Sequence, residues 1–211
     1  MLNRNRSNII AVFIMAFLAM VVMVDVCAAS LQLPQQTIAT VSDTLQKKLQ
    51  DKSFTQDFAR VTQFVNSVIE PHTDFDRIAP LVLGKHWKTA TEPDRERFKH
   101  EFQTLIVRAY ARAFVEYNDW KIDYLPLDIP KDTTKVVVKT RVLQPRLQPV
   151  EVDYRMFLNN GEWKVYDILI DGVSLITTYR SSFNDEIQKK GSLAAVIDNL
   201  AQRNSEALKS K

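Results

Sequence analysis

A strand that is apolar on both faces and runs straight into an apolar helix leaves this chain few ways to fold. Between Gly161 and Phe183, Trp163, Val165 and Leu169 alternate with Tyr166, Ile168 and Ile170, so a strand here carries oily side chains on either side. Beyond Gly172, the residues Val173, Ile176, Tyr179, Phe183 and Ile187 take helical spacing. Such a strand needs cover on both faces, or it lines a cavity with one of them. The helix expected over Gly172 to Gln188 can fold back and form a wall.

The sequence before it supplies the rest of a sheet. Trp120 to Asp128 reads as a first strand, confined by Pro126 to an edge or a bend. Lys135 to Leu143 and Val150 to Leu158 alternate with period two, and Asn159-Asn160-Gly161 signals a hairpin turn. With Asn160 and Gly161 in the turn, Leu158 faces Trp163, Met156 faces Val165, Tyr154 faces Asp167 and Val152 faces Leu169.

Helical patterns flank this meander. Thr37 to Gln50 is amphipathic, with Ile38, Val41, Leu45 and Leu49 on one stripe. Ser53 is placed to cap a second helix through Phe54, Phe58, Val61, Val65 and Val68, and Asp74 to cap a short third one that ends at Gly84. Thr91 to Tyr117 is the longest, with a capping-box-like Thr91 and Asp94. Its apolar side, Phe98, Phe102, Leu105, Ala109 and Phe114, is widened by Ile106, Tyr110 and Ala113. Ser192 to Leu208 is the last. All four glycines fall at element boundaries. The expected class is α+β: an antiparallel four-stranded meander covered by helices, with an apolar cavity between sheet and helices.

At the start, Arg4 and Arg6 precede an uncharged apolar run, Ile9 to Val24, and Val26 to Ser30 offers small residues at cleavage spacing. That order reads as a signal peptide over residues 1–29, cleaved to leave a single domain over 30–211. The competing readings are a membrane anchor, for which the run is short, and lipid attachment at Cys27, for which Val26 is a poor preceding residue. The net charge of +3 drops by one on cleavage, because Arg4 and Arg6 outweigh Asp25. So balanced a chain lacks the concentrated basic face of a nucleic-acid binder. Cys27 is the only cysteine, so the domain that follows depends on a packed core and not on crosslinks.

Catalytic material is sparse. His72, His86 and His100 do not share i, i+4 spacing, and each reads as a loop or surface histidine. Ser174 follows a strand, but Ile176 stands where a nucleophile elbow requires glycine, so Ser174 reads as a helix cap. No glycine-rich phosphate loop is present. Asp167 falls on the inward face of its strand. The reading favoured is a structural bond to a tyrosine, an arginine or a helix end, and the alternative is a pocket acid.

The segments "LVLGKHWKTAT" (Leu81 to Thr91), "EWKVYDILIDGVSLITTYR" (Glu162 to Arg180) and "KKGSLAAVIDNL" (Lys189 to Leu200) resemble the periplasmic phospholipid-binding proteins of Mla-type ABC transport systems, the toluene-tolerance auxiliary family. The resemblance implies a periplasmic carrier, not an enzyme. It implies a glycerophospholipid held by its acyl chains and shuttled between an outer-membrane lipoprotein–porin complex and an inner-membrane ABC transporter with its membrane-anchored binding subunit, maintaining outer-membrane lipid asymmetry. The lipid is cargo, no cofactor or metal is expected, and the protein is expected to be monomeric.

The candidate lining of the cavity is Ile78, Leu81, Val82, Trp87, Phe98, Phe102, Leu105, Tyr110, Val138, Val152, Tyr154, Trp163 and Val173. Each of these could equally be ordinary core. Two other functions fit the pattern: a small-molecule enzyme with an enclosed α+β pocket using Asp167, and an interaction module with a solid core.

Overall fold

The structure is a computed structural model and describes residues 31–117 and 119–209. The expected signal segment, 1–29, lies outside them. Among the described residues no helix is long and apolar enough to cross a membrane.

Side-chain caps set most helix starts. Helix α1, Leu33–Leu49, begins earlier than its apolar stripe suggests, because the Gln32 backbone N–H donates to Gln35 Oε1 at 2.8 Å and Pro34 suits a first turn. The second helix does not start at Ser53. Asp51 Oδ1 accepts from the Ser53 and Phe54 N–H groups and from Ser53 Oγ, which closes a turn followed by a 3-10 segment, Phe54–Gln56. Helix α2, Phe58–Ile69, starts afresh with Asp57 accepting from Arg60 N–H at 3.0 Å. Helix α3, Phe75–Leu83, is capped by Asp74 as expected, and a short helix α4, Lys85–Thr89, follows Gly84. Helix α5, Glu92–Glu116, starts at Thr91, whose hydroxyl accepts from Asp94 N–H and donates to Asp94 Oδ2.

The sheet has five strands in sequence order, all antiparallel, and not four: β1 Lys121–Tyr124, β2 Lys135–Leu143, β3 Val150–Asn159, β4 Glu162–Ile170 and β5 Val173–Ser174. The fifth arises from the turn at Asp171-Gly172. Both residues have positive φ, 48° and 79°, as a tight two-residue hairpin requires. Val173 and Ser174 therefore return against Ile170 and Leu169, and helix α6, Leu175–Lys190, begins only after them. Helix α7, Leu193–Lys209, ends the described chain.

Three apolar clusters form the interior. One joins α3, α5, α6 and α7 around Phe98, Phe102, Phe183 and Ile197. A second joins α1, α2 and the later part of α5 around Leu49, Val61, Val65 and Val107. The third sets Ile38 of α1 against Val136, Val138, Met156 and Trp163 on the sheet. Each fully buried side chain of this size contributes roughly 1.5–3 kcal/mol relative to exposure.

Candidate functional site

The hairpin joining β3 and β4 decides where the site lies. Leu158 faces Trp163 and Met156 faces Val165, as the Asn-Gly turn dictates. Then the register slips by one residue: Arg155 faces Asp167, Tyr154 faces Ile168 and Val152 faces Ile170. Tyr166 is the extra residue of a β-bulge. The slip corrects the expected pairing of Tyr154 with Asp167 and of Val152 with Leu169. Its consequence is that Val165, Ile168 and Ile170 share one face of the sheet with Tyr154 and Val152. Tyr166 turns the other way, into the cluster of α3, α5, α6 and α7, with its ring 6.2 Å from that of Phe157. The doubly apolar strand thus has two neighbours: helices on one side and a cavity on the other.

That cavity encloses about 310 Å3. The sheet contributes Ile122, Val142, Val152, Tyr154, Val165, Ile168 and Ile170. Helix α1 closes it with Thr37, Ile38, Val41, Ser42 and Leu45, the end of α2 adds Ile69, and the α2–α3 connection adds His72 and Thr73. The connection is pinned to the sheet where Asp74 N–H donates to the Val165 carbonyl at 2.9 Å. Trp120, also in the wall, is fixed by its indole N–H donating to Ser42 Oγ at 2.8 Å.

Helix α5 divides into two halves. Toward its start, Phe98 stacks on Phe102, and Phe183 and Tyr179 meet them edge-on at 5.1–5.2 Å, so that half is filled. Toward its end, Ile106, Tyr110, Ala113, Phe114 and Tyr117 face the cavity, and the small Ala113 leaves room. Burial raises the Tyr110 hydroxyl to about 12, with a smaller contribution from Tyr179. Burial also raises Tyr154, further still, with Tyr124 adding to it. Both stay neutral at physiological pH, so the wall carries no charge from them.

Among the described lining residues there is one histidine and no carboxylate. Asp167 is buried elsewhere. It accepts from Arg155 Nη1 at 3.0 Å, Ser174 Oγ at 2.8 Å and the Ile176 N–H at 3.2 Å, tying the sheet to the start of α6. Ser174 in turn accepts from Thr177 N–H, the cap that the sequence suggested. No group of three potential metal ligands occurs among the described residues.

Of the thirteen candidate lining residues, the structure places Tyr110, Val152 and Tyr154 in the cavity wall. Ile78, Val82, Phe98 and Phe102 lie in the filled helical cluster, with Leu81, Trp87 and Leu105 packed against it. Val138 and Trp163 pack under α1. Val173 is 61% exposed in β5 and forms part of neither the helix nor the wall. The residues sequence reasoning passed over, Val41, Leu45, Ile106, Ala113, Ile168 and Ile170, all belong to apolar stripes visible in the sequence. Which stripe faces a void was not visible there.

Comparison with known proteins follows this geometry. A family model described as MlaC protein matches residues 39–202. The toluene tolerance protein ttg2D of Pseudomonas putida is 27% identical over 139 residues, 65% of this chain and 64% of that protein. The intermembrane phospholipid transport system binding protein MlaC of Haemophilus influenzae is 26% identical over 139 residues, 64% of this chain and 65% of that protein. The matched region thus spans a little under two thirds of either relative. A phospholipid-binding protein from Ralstonia solanacearum, solved in complex with a phospholipid, superposes with a TM-score of 0.75 at 31% identity, covering 84% of this chain and all of that one. With the family match running through α1 to α7 and the same fold found in the solved relative, this chain belongs to the MlaC protein family.

Proposed function

We propose that the protein is a phospholipid carrier that hides acyl chains in the cavity between α1, the later half of α5 and the sheet. The observation that carries this reading is the uncharged, largely apolar wall, with residues from all three clusters around one void. The phospholipid held by the Ralstonia relative supports it.

Energetics set what such a carrier must do. Each methylene kept from water is worth about 0.8 kcal/mol. Two tails carry on the order of thirty methylenes, a gross term of ~20 kcal/mol or more. A bilayer offers the same shelter, so the cavity needs only rough parity with the membrane. Lipid can then enter and leave without covalent chemistry. The Haemophilus relative's role in intermembrane phospholipid transport supports a place in the periplasm, with residues 1–29 removed on export. There a monomer would pass lipid between an outer-membrane lipoprotein–porin complex and an inner-membrane ABC transporter, maintaining lipid asymmetry. The enzyme reading lacks its acid, since Asp167 is engaged by Arg155, Ser174 and the start of α6.

The test is native mass spectrometry of protein purified without detergent. Near-stoichiometric co-purified phospholipid is the expected result. Protein that carries no lipid, and takes none from vesicles, would refute the proposal.

A further inference from the structure

Helix α5 carries a pair of charges that the cavity does not explain. Ile106, Tyr110, Ala113 and Tyr117 turn toward the cavity. At about 3.6 residues per turn, Arg108 and Arg112 fall on another face, one helical turn apart. Arg108 is half-buried against α7, where its Nε donates to Asn204 Oδ1 at 2.8 Å. Asn204 is 3% exposed and directs its amide N–H groups to Glu101, to the backbone carbonyl at 2.9 Å and to Oε2 at 2.7 Å. It thereby orients the Arg108 fork and occupies the acid that precedes it on the helix. Arg112 is exposed and lies over the Phe58 ring of α2, 5.1 Å from its centroid. On the α7 side, Arg203 pairs with Glu186 at 3.3 Å.

Among the described residues neither Arg108 nor Arg112 forms an ion pair. Between Glu101 and Glu116 the sequence has no acidic residue, and Glu116 is hydrogen-bonded with the Tyr117 hydroxyl. Burial lowers the pKa of Arg108, and Arg203 and Arg112 lower it further while Tyr179 opposes them. A guanidinium nevertheless keeps its proton, so Arg108 stands partly desolvated among like charges. Cations taken out of water ordinarily have a carboxylate beside them. Asn204 engages Nε, which leaves the two Nη groups for a carboxylate fork. The surroundings say what would bring it. Large apolar side chains are exposed at Leu33, Tyr117, Val137, Leu143, Leu147 and Val173, and none of these belongs to α2, α5 or α7. A membrane-seeking face sets such residues beside its basic ones, whereas an acidic protein segment requires only the charges.

We propose that Arg108 and Arg112 form a docking site for an acidic segment of a partner protein, with Arg203 at its edge. One turn of separation, about 6 Å along the helix, suits carboxylates four residues apart in a helix or two apart in an extended chain. Ala109, exposed and lying between the two arginines in sequence, offers little bulk against close approach. Glu186 is held by Arg203, and Glu101 by Asn204, so neither acid of the neighbourhood competes strongly for the site. The inference goes beyond the carrier reading and does not depend on it, because neither arginine is part of the cavity wall.

The test follows the amide NMR shifts of isotope-labelled protein as hexaglutamate is added at low ionic strength. We expect shifts centred on Arg108, Arg112 and Arg203. The dissociation constant should rise about tenfold in R108Q/R112Q, the scale of two partly exposed charge pairs, and should rise in high salt. K135Q/K139Q removes the same charge from exposed positions of β2 and should change it little. Should R108Q/R112Q fail to fold, R112Q alone should weaken binding about threefold, and R108K/R112K, which keeps the charge, should retain more of it than R112Q. Lipid extracted from folded R108Q/R112Q or R112Q should match wild type. No binding, shifts centred elsewhere, equal weakening in K135Q/K139Q, or binding of phosphatidylglycerol vesicles through this face in place of hexaglutamate would overturn the inference. Loss of lipid from folded R112Q would also overturn it, by placing the arginines in the cargo site. Wild-type protein that docks hexaglutamate here but takes up no lipid would count against the carrier reading alone.

Discussion

Replacing Asp167 by alanine should destabilise the protein by about 1–4 kcal/mol without any effect that depends on catalysis. The carboxylate is 3% exposed and accepts three hydrogen bonds. The Ile176 N–H belongs to the first turn of α6, is buried, and has no substitute acceptor once the side chain is gone. An orphaned buried donor of that kind costs about 1–3 kcal/mol. Arg155 is 42% exposed and regains water, so the ion-pair part is discounted to at most about 1 kcal/mol. Ser174 still caps Thr177, so its loss is small. For a domain of this size each kcal/mol lowers Tm by roughly 2–4 °C. Asp167→Asn keeps an acceptor for Ile176 and should cost less than alanine. Urea unfolding of wild type, D167A, D167N and R155Q, with the double variant D167N/R155Q, resolves the terms. A D167A loss below about 0.5 kcal/mol, which is ordinary surface behaviour, would refute the role assigned to this residue. Loss of a turnover activity in fully stable D167N would restore the enzyme reading.

Two further perturbations separate the void from the filled core. Val152→Trp should fill the cavity and lower bound lipid while the domain still folds. Phe102→Trp disturbs the ring cluster with Phe98, Phe183 and Tyr179 and should cost about 1–3 kcal/mol by overpacking, with lipid loss only as stability falls. Equal lipid in folded V152W and wild type would remove Val152 from the tail path. On alkaline titration, Tyr110 and Tyr124 should ionise near pH 12, well above the usual 10, because burial disfavours the phenolate. The unfolded chain loses these protons first. Stability is therefore whole below about pH 10 and falls between about 10 and 12. All six tyrosines ionising together near 10 in the folded protein would contradict the burial described.

The elements were largely legible because their signals are local. Thr91, Asp74 and Ser174 cap where their chemistry suggests, and Asn160-Gly161 turns the hairpin with φ of 50° and 83°. What the sequence concealed were competitions between neighbours. Asp51 outcompetes Ser53 and delays α2, Asp171-Gly172 makes a hairpin before α6 can begin, and the bulge at Tyr166 exchanges the faces of half a strand. Period-two reading carries through a bulge unaware, so it pointed Asp167 inward. The site was harder still. Phe98 and Tyr110 lie on one continuous helix and look alike as apolar positions. At the start of the helix Phe183 and Tyr179 arrive from α6 and fill the space, whereas toward its end Tyr110 and its neighbours border the cavity.

The most direct measurement loads the protein with a phospholipid carrying a photoreactive group along one acyl chain, irradiates it, and maps adducts by peptide mass spectrometry. The account places them on Ile38 to Leu45, Ile106 to Tyr117 and Val152 to Ile170. Adducts confined to the outer surface, or to the cluster of Phe98, Phe102 and Ile197, would contradict it.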